Sequence, residues 1–80
     1  MMHFVYSLQS ESNPGHFYVG ITTNVRRRLE EHNAGILPHT HKFVPWRLQA
    51  YVAFKDKSKA EKFEIYLKTG SGRAFCKRHF

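Results

Sequence analysis

The segment FYVGITTNVRRRLEEHNAG, residues 17–35, joins a strand-like run to a strongly basic helical run. Its first six residues are mostly aromatic or β-branched, and such residues favour strands. Residues 22–24, TTN, can cap a helix whose apolar residues Val25 and Leu29 lie about one turn apart, and NAG at 33–35 supplies a stop. The segment therefore predicts a strand followed at once by a short helix.

The flanking residues add two more strands to this unit. Residues 3–8, HFVYSL, predict a strand that pairs with the strand at 16–22 through the turn sequence ESNPG. Residues 36–45 contain two prolines and no clear period, which predicts a loop. Residues 46–54, WRLQAYVAF, alternate in a pattern that predicts a third strand. The expected buried face of this strand consists of Trp46, Leu48, Ala50 and Val52.

Two helices are predicted after the third strand. Ser58 can cap the first of them, Glu61 would complete a capping box, and Gly70 would end it. The expected apolar face consists of Ala60, Phe63, Ile65, Tyr66 and Leu67. Residues 71–80 predict a short terminal helix. The order β-β-α-β-α-α predicts a mixed α/β (α+β) fold with a small antiparallel sheet, and residues 1–80 are expected to form a single domain.

Composition limits the classes of function. The sequence has 80 residues and a net charge of +7, which makes an anionic polymer such as nucleic acid the first partner to consider. Cys76 is the only cysteine, so an intrachain disulfide and a multi-thiolate metal site are excluded. No apolar run is long enough to span a membrane and no leader pattern is present, so we expect a soluble, cytoplasmic protein.

The basic helix offers one arginine that can face the sheet. Consecutive helical positions are rotated by roughly 100°, so Arg26, Arg27 and Arg28 cannot point in the same direction. Arg28 shares the side of Val25 and is expected to lie near the sheet, with His32 one turn later on the same face. Arg26 and Arg27 would then face solvent or a nucleic-acid backbone.

Carboxylates are few, and one of them occupies an unusual position. Glu64 lies in the apolar sequence KFEIYLK and could be a ligand for a divalent cation, although an ordinary helix-surface pair with Lys68 remains an alternative. The sequence TGSGRAF is more typical of a helix break and restart than of a phosphate loop, and it leaves Arg73 free to contact phosphate. His39 and His41 lack the spacing of a closed zinc site and are interpreted as loop residues.

Six residues in order along the chain form a recognisable pattern: Tyr6, Tyr18, Gly20, Arg28, His32 and Glu64. With them, the chain resembles the GIY-YIG nuclease domain, in the form of its small stand-alone bacterial members. FVYSL at 4–8 and FYVGIT at 17–22 correspond to the two name-giving motifs, with VYS in place of GIY and Val19 in place of isoleucine. The resemblance continues through RRLEEHNAG, PWRL and AEKFEIYLKTGSGRAF and covers essentially the whole chain.

This resemblance implies a three-stranded antiparallel sheet flanked by helices and divalent-metal-dependent hydrolysis of DNA phosphodiesters, with Mg²⁺ or Mn²⁺. It implies that Glu64 is the metal ligand and that Arg28 stabilises the phosphate. Tyr6 and Tyr18 would line the site, one of them helping to activate water, and His32 would belong to the same active face. Either Arg28 or the metal site could make a phenol competent as a base. Expected nucleic-acid contacts are Gly20, Arg26, Arg27, Lys68 and Arg73.

The sequence leaves three hypotheses open. The first is an endonuclease with structure selectivity or weak sequence selectivity, acting on branched or single-stranded DNA in repair or recombination. The second is a basic nucleic-acid-binding module with a vestigial nuclease site. The third is a protein-interaction unit that retains only traces of the site. The sequence does not decide which tyrosine is the base.

Overall fold

A three-stranded antiparallel sheet forms the centre of the molecule in the computed structural model, which describes all 80 residues. The strands are β1 (His3–Ser10), β2 (Phe17–Thr22) and β3 (Trp46–Phe54), and they lie in the order β2-β1-β3. The helices are α1 (Val25–Asn33), α2 (Lys57–Leu67) and α3 (Gly70–His79). The predicted α+β class and element order are confirmed. None of these helices is both long and apolar enough to cross a membrane.

The two faces of the sheet carry different clusters of buried side chains. On one face, Val5 of the central strand packs with Ala60 and Leu67 of α2, and Phe75 of α3 lies against this cluster. On the opposite face, Tyr6 and Leu8 pack with Trp46, and Leu29 of α1 lies against them. Because successive side chains of β1 point to opposite faces of the sheet, this one strand contributes residues to both clusters.

A bulge in β3 breaks the alternation expected for that strand. Ser7 of β1 lies opposite Ala50 and Leu8 lies opposite Leu48, so Gln49 is an extra residue on β3. Because cross-strand partners share a face, Trp46 and Leu48 face one side of the sheet, and Ala50 and Val52 face the other. Leu48 is 37% exposed. The prediction of one continuous buried face was therefore wrong.

The helix caps agree with the sequence at α1 and differ from it at α2. The Asn24 side chain accepts a hydrogen bond from the backbone N–H of Arg27, as one of the predicted caps. Helix α2 is capped by Asp56, whose Oδ1 accepts from the backbone N–H groups of Ser58 and Lys59. The predicted Ser58 cap and its capping box were wrong, because an earlier carboxylate reaches the same free N–H groups.

The boundary between α2 and α3 also differs from the prediction. Helix α2 ends at Leu67, and Gly70 is the first residue of α3 and not the terminator of α2. Thr69 caps α3 by accepting from the backbone N–H of Gly72. A Cβ on Gly72 would lie 2.6 Å from the carbonyl carbon of Tyr66, so only glycine lets the two helices approach this closely.

The buried stripe of α2 includes a carboxylate. Ala60, Phe63, Glu64 and Leu67 are buried or half-buried and follow the spacing of one helical face. Ile65 lies off this stripe and is 64% exposed, and Tyr66 is 39% exposed, so both were wrongly assigned to the apolar face. Glu64 therefore faces inward on α2, whereas the sequence pattern had assigned that orientation to Ile65.

Candidate active site

Tyr6 lies at the centre of the candidate site, on the middle strand of the sheet. It is 2% exposed, and its ring extends across the backbone of Gly20 on β2. A Cβ on Gly20 would lie 2.6 Å from Cζ of Tyr6, which means that a larger residue would displace the phenol. The phenol of Tyr6 fills the space beside Gly20. Gly20 therefore positions Tyr6, and that space is not open to a phosphate.

Tyr18 completes the aromatic part of the site. It lies diagonally across from Tyr6, because Tyr18 pairs with Leu8 and Gly20 pairs with Tyr6. This register, which the sequence could not fix, puts both tyrosines on one face of the sheet with ring centroids 6.3 Å apart. The Tyr18 ring also lies 5.0 Å from the imidazole of His32, measured between centroids.

A chain of hydrogen bonds connects Tyr6 to the loop after α1. The Tyr6 hydroxyl is 2.9 Å from Nε2 of His32, and Nδ1 of His32 is 2.7 Å from Oγ1 of Thr40. Both His32 and Thr40 are 1% exposed. The Trp46 indole N–H donates to the carbonyl of Thr40 and holds this part of the loop against the site.

His32 is held in its neutral form by its surroundings. Burial lowers the pKa of His32, and the positive charge of Arg28 lowers it further. A neutral imidazole has one N–H donor and one acceptor nitrogen, and both of its partners here are hydroxyl groups, which can either donate or accept. His32 can therefore accept a proton at one nitrogen while remaining hydrogen-bonded at the other.

Arg28 reaches the same phenol from α1. Hydrogen bonding to Tyr6 raises the pKa of Arg28, and Nη1 also lies 3.1 Å from Oε1 of Glu31. The Arg28 side chain remains 35% exposed, so part of the guanidinium is open to an incoming anion. The predicted distribution of the three arginines agrees with the structure, because Arg26 and Arg27 are exposed.

The charge on Arg28 does not make Tyr6 acidic. Burial raises the pKa of Tyr6 above its ordinary value, and Arg28 opposes this effect without overcoming it. The negative charge of Glu64 also raises the pKa of Tyr6. The expectation that Arg28 could activate the phenol as a base is therefore not met in the free protein, where Tyr6 keeps its proton at neutral pH.

Glu64 approaches the site from the helix on the other face of the sheet. Its carboxylate is 16% exposed and lies 2.7 Å from Nζ of Lys68, which is the surface-pair alternative considered from the sequence. Its negative charge also makes a small contribution to the raised pKa of Tyr6. Glu64 thus has a helix-surface partner and also belongs to the electrostatic surroundings of Tyr6.

The metal-ligating potential of the site is limited to this single carboxylate. No group of three or more His, Cys, Asp or Glu side chains is arranged to hold a metal ion. Mg²⁺ commonly binds through one or two carboxylates together with substrate phosphate oxygens and water. A lone carboxylate that is only 16% exposed fits that kind of site, and it does not fit a site built from protein ligands alone.

Two residues with defined positions were missed by the sequence analysis. Thr40 lies in the loop at 36–45, where neither periodicity nor a motif identified it, and the structure shows it as the second partner of His32. Gln49 was treated as a polar residue of an alternating strand, and the structure shows it as the bulge residue of β3. Only a register analysis could have found Gln49.

The comparison with known proteins agrees with the fold. Residues 2–77 match the model of the GIY-YIG catalytic domain, so the chain belongs to the GIY-YIG family. Membership in this family supports a nuclease function for the chain.

Particular relatives extend the comparison. A UPF0213 protein of Halobacterium salinarum is 40% identical over 68 residues, which cover 84% of this chain and 86% of that protein. The structure-specific endonuclease subunit SLX1 of Scheffersomyces stipitis is 43% identical over 67 residues, which cover 75% of this chain and 20% of SLX1. The solution NMR structure of the UPF0213 protein BH0048 of Bacillus halodurans matches with a TM-score of 0.56 and 33% identity, covering 94% of this chain and 81% of that one.

Proposed function

We propose that this chain is a divalent-metal-dependent DNA endonuclease that hydrolyses phosphodiester bonds, with structure selectivity or weak sequence selectivity. The observation that carries the proposal is the surroundings of the Tyr6 hydroxyl, which His32 contacts and on which Arg28 and Glu64 both act. These side chains belong to β1, α1 and α2, which are distant in the sequence. The relationship to SLX1, a structure-specific endonuclease subunit, supports selectivity for DNA structure.

The residues of the site have complementary roles in this proposal. Arg28 binds a non-bridging phosphate oxygen with its exposed N–H groups, which stabilises charge that develops in the transition state. Tyr6 contacts the attacking water and passes its own proton to Nε2 of neutral His32 as it receives one from the water. Tyr6 therefore relays a proton and need not exist as a phenolate beforehand, which agrees with its raised pKa.

Glu64 would hold Mg²⁺ or Mn²⁺ jointly with phosphate oxygens of the DNA. When bound, such an ion supplies Lewis-acid stabilisation of charge on the phosphate and on the leaving oxygen. Lys68, the present partner of Glu64, is 53% exposed and is free to turn toward a phosphate. Arg26, Arg27 and Arg73 are exposed cations that would contact the DNA backbone away from the reacting phosphate.

The proposal is tested by comparing Arg28→Ala with Arg26→Ala, a matched change two residues away on the same helix. Nicking of supercoiled plasmid and cleavage of branched, duplex and single-stranded DNA are measured with Mg²⁺ or Mn²⁺ and with a chelator. We expect the chelator to abolish cleavage and Arg28→Ala to slow it by about 10²-fold or more. Arg26→Ala should change cleavage only a few-fold, through weaker binding. Equal rates for both variants would contradict the proposed site.

A non-catalytic binding module is the second candidate, and the ion pair between Glu64 and Lys68 favours it because it neutralises the candidate metal ligand. This candidate predicts DNA affinity that falls steeply with salt, and no cleavage of any of the substrates with either metal. Metal-dependent cleavage that requires Arg28 would exclude it.

A further inference from the structure

A cleft of about 770 Å³ opens beside the candidate active site. It lies between the β2 side of the sheet and helix α3, and its lining includes Ser7, Phe17, Gln49, Lys68, Arg73 and Lys77. Tyr18 and Lys68 belong both to this cleft and to the surroundings of the active site. A strand held at the active site could therefore continue into the cleft.

The floor of the cleft holds an amide group in a fixed orientation. Ser7 is 1% exposed, and its hydroxyl donates to Oε1 of Gln49 at 2.8 Å. No hydrogen bond within the protein uses Nε2 of Gln49, and no buried side-chain nitrogen or oxygen lacks a partner. Nε2 is therefore open to solvent. The bulge in β3 puts Gln49 in this position, since an alternating strand would have no extra residue there.

The walls of the cleft combine positive charge with an exposed aromatic ring. Lys68, Arg73 and Lys77 line it, and no acidic side chain is part of the lining. Phe17 is 54% exposed, so its ring is accessible from the cleft. Cations that follow a phosphate backbone and aromatic rings on which bases stack are the features of sites for unpaired nucleotides.

We propose that this cleft binds an unpaired nucleotide of the nucleic-acid substrate, with its base on Phe17 and Gln49 and its phosphates on the three cations. The inference deepens the proposed function, because it defines where the strand next to the reacting phosphate is held. Gln49 offers N–H donors to the base, since its Oε1 is directed at the buried hydroxyl of Ser7. Adenine is bound best when an amide both donates and accepts. The cleft should therefore favour thymine and cytosine, which carry carbonyl oxygens, over adenine.

The test measures binding without cleavage. Fluorescence anisotropy gives the Kd of labelled dT, dC and dA homopolymers of about twelve nucleotides, with a chelator present. We expect dT and dC to bind more tightly than dA. Gln49→Leu should lower the Kd for dA divided by the Kd for dT by about three- to tenfold. Ser7→Ala should raise the relative affinity for dA, because it frees Oε1 of Gln49. A general loss of folding would not produce that change of preference.

Control variants separate base recognition from charge. Lys77→Ala should weaken binding of all three homopolymers equally, and Lys62→Ala, an exposed lysine outside the cleft lining, should have a smaller effect. The inference is overturned if the unsubstituted protein binds dT and dA within twofold, or if Gln49→Leu keeps the preference. It is also overturned if duplex DNA competes as well as dT. Gln49-dependent binding by a protein that never cleaves DNA would refute the proposed nuclease function and leave this inference standing.

Discussion

At the scale of single residues, His32 and its two partners define what the candidate site can do. His32 follows Arg28 by one helical turn, and that spacing was enough to predict that it faces the sheet. Its partner Thr40 could not be predicted, because it comes from a loop without a period and reaches His32 only through the tertiary fold. The sequence therefore identified the imidazole but not the group that orients it.

The burial of His32 predicts how stability depends on pH. In the unfolded chain the pKa of His32 is near its ordinary value of about 6.5, and in the folded protein it is lower. Above that value His32 is neutral in both states and contributes no pH dependence. As pH falls below about 6.5, only the unfolded chain takes up the proton, so the free energy of unfolding decreases by at most about 1.4 kcal/mol per pH unit.

Urea unfolding of the unsubstituted protein and of His32→Gln, followed between about pH 8 and pH 5, checks this expectation. His32→Gln should show a shallower loss of stability below about pH 6.5. His39→Gln, a change at an exposed loop histidine, should keep the full slope. If the two variants have the same slope, His32 does not carry the effect.

At the scale of secondary structure, helix α2 shows why pattern reasoning identified Glu64 and misplaced its neighbours. The apolar run around Glu64 made a carboxylate there conspicuous, but the run contains more apolar residues than one helical face can bury. Packing on the sheet selected the stripe that contains Phe63 and Glu64 and left Ile65 exposed. Composition alone could not make that choice.

The start of α2 gives a prediction at the same scale. Asp56→Ala should lower the free energy of unfolding by about 1 kcal/mol, because two backbone N–H groups of the first turn lose their acceptor. Ser58→Ala, which removes the cap expected from the sequence, should change stability by less than about 0.5 kcal/mol. Thermal and urea unfolding measure both. A larger cost for Ser58→Ala would restore the cap assignment made from the sequence.

At the scale of the whole molecule, the site depends on elements from both faces of the sheet. Element order and the antiparallel sheet could be predicted because local periodicity and turn residues specify them. The relative position of the two tyrosines and the bulge at Gln49 depend on strand register, which a hairpin loop longer than two residues does not determine. The resemblance implied that Glu64 and Tyr6 belong to one site, and in the fold the charge of Glu64 contributes to the raised pKa of Tyr6.

Cleavage by Glu64→Gln is the measurement that tests the central claim most directly. This change keeps the size of the side chain and removes the charge, so metal binding should fail while the helix is retained. Glu61→Gln, an exposed change on the same helix, is the matched control. We predict that Glu64→Gln lowers the Mg²⁺-dependent rate of phosphodiester cleavage by about 10²-fold or more while Glu61→Gln stays within a few-fold of the unsubstituted protein. A Glu64→Gln protein that cleaves at the unsubstituted rate would contradict the account.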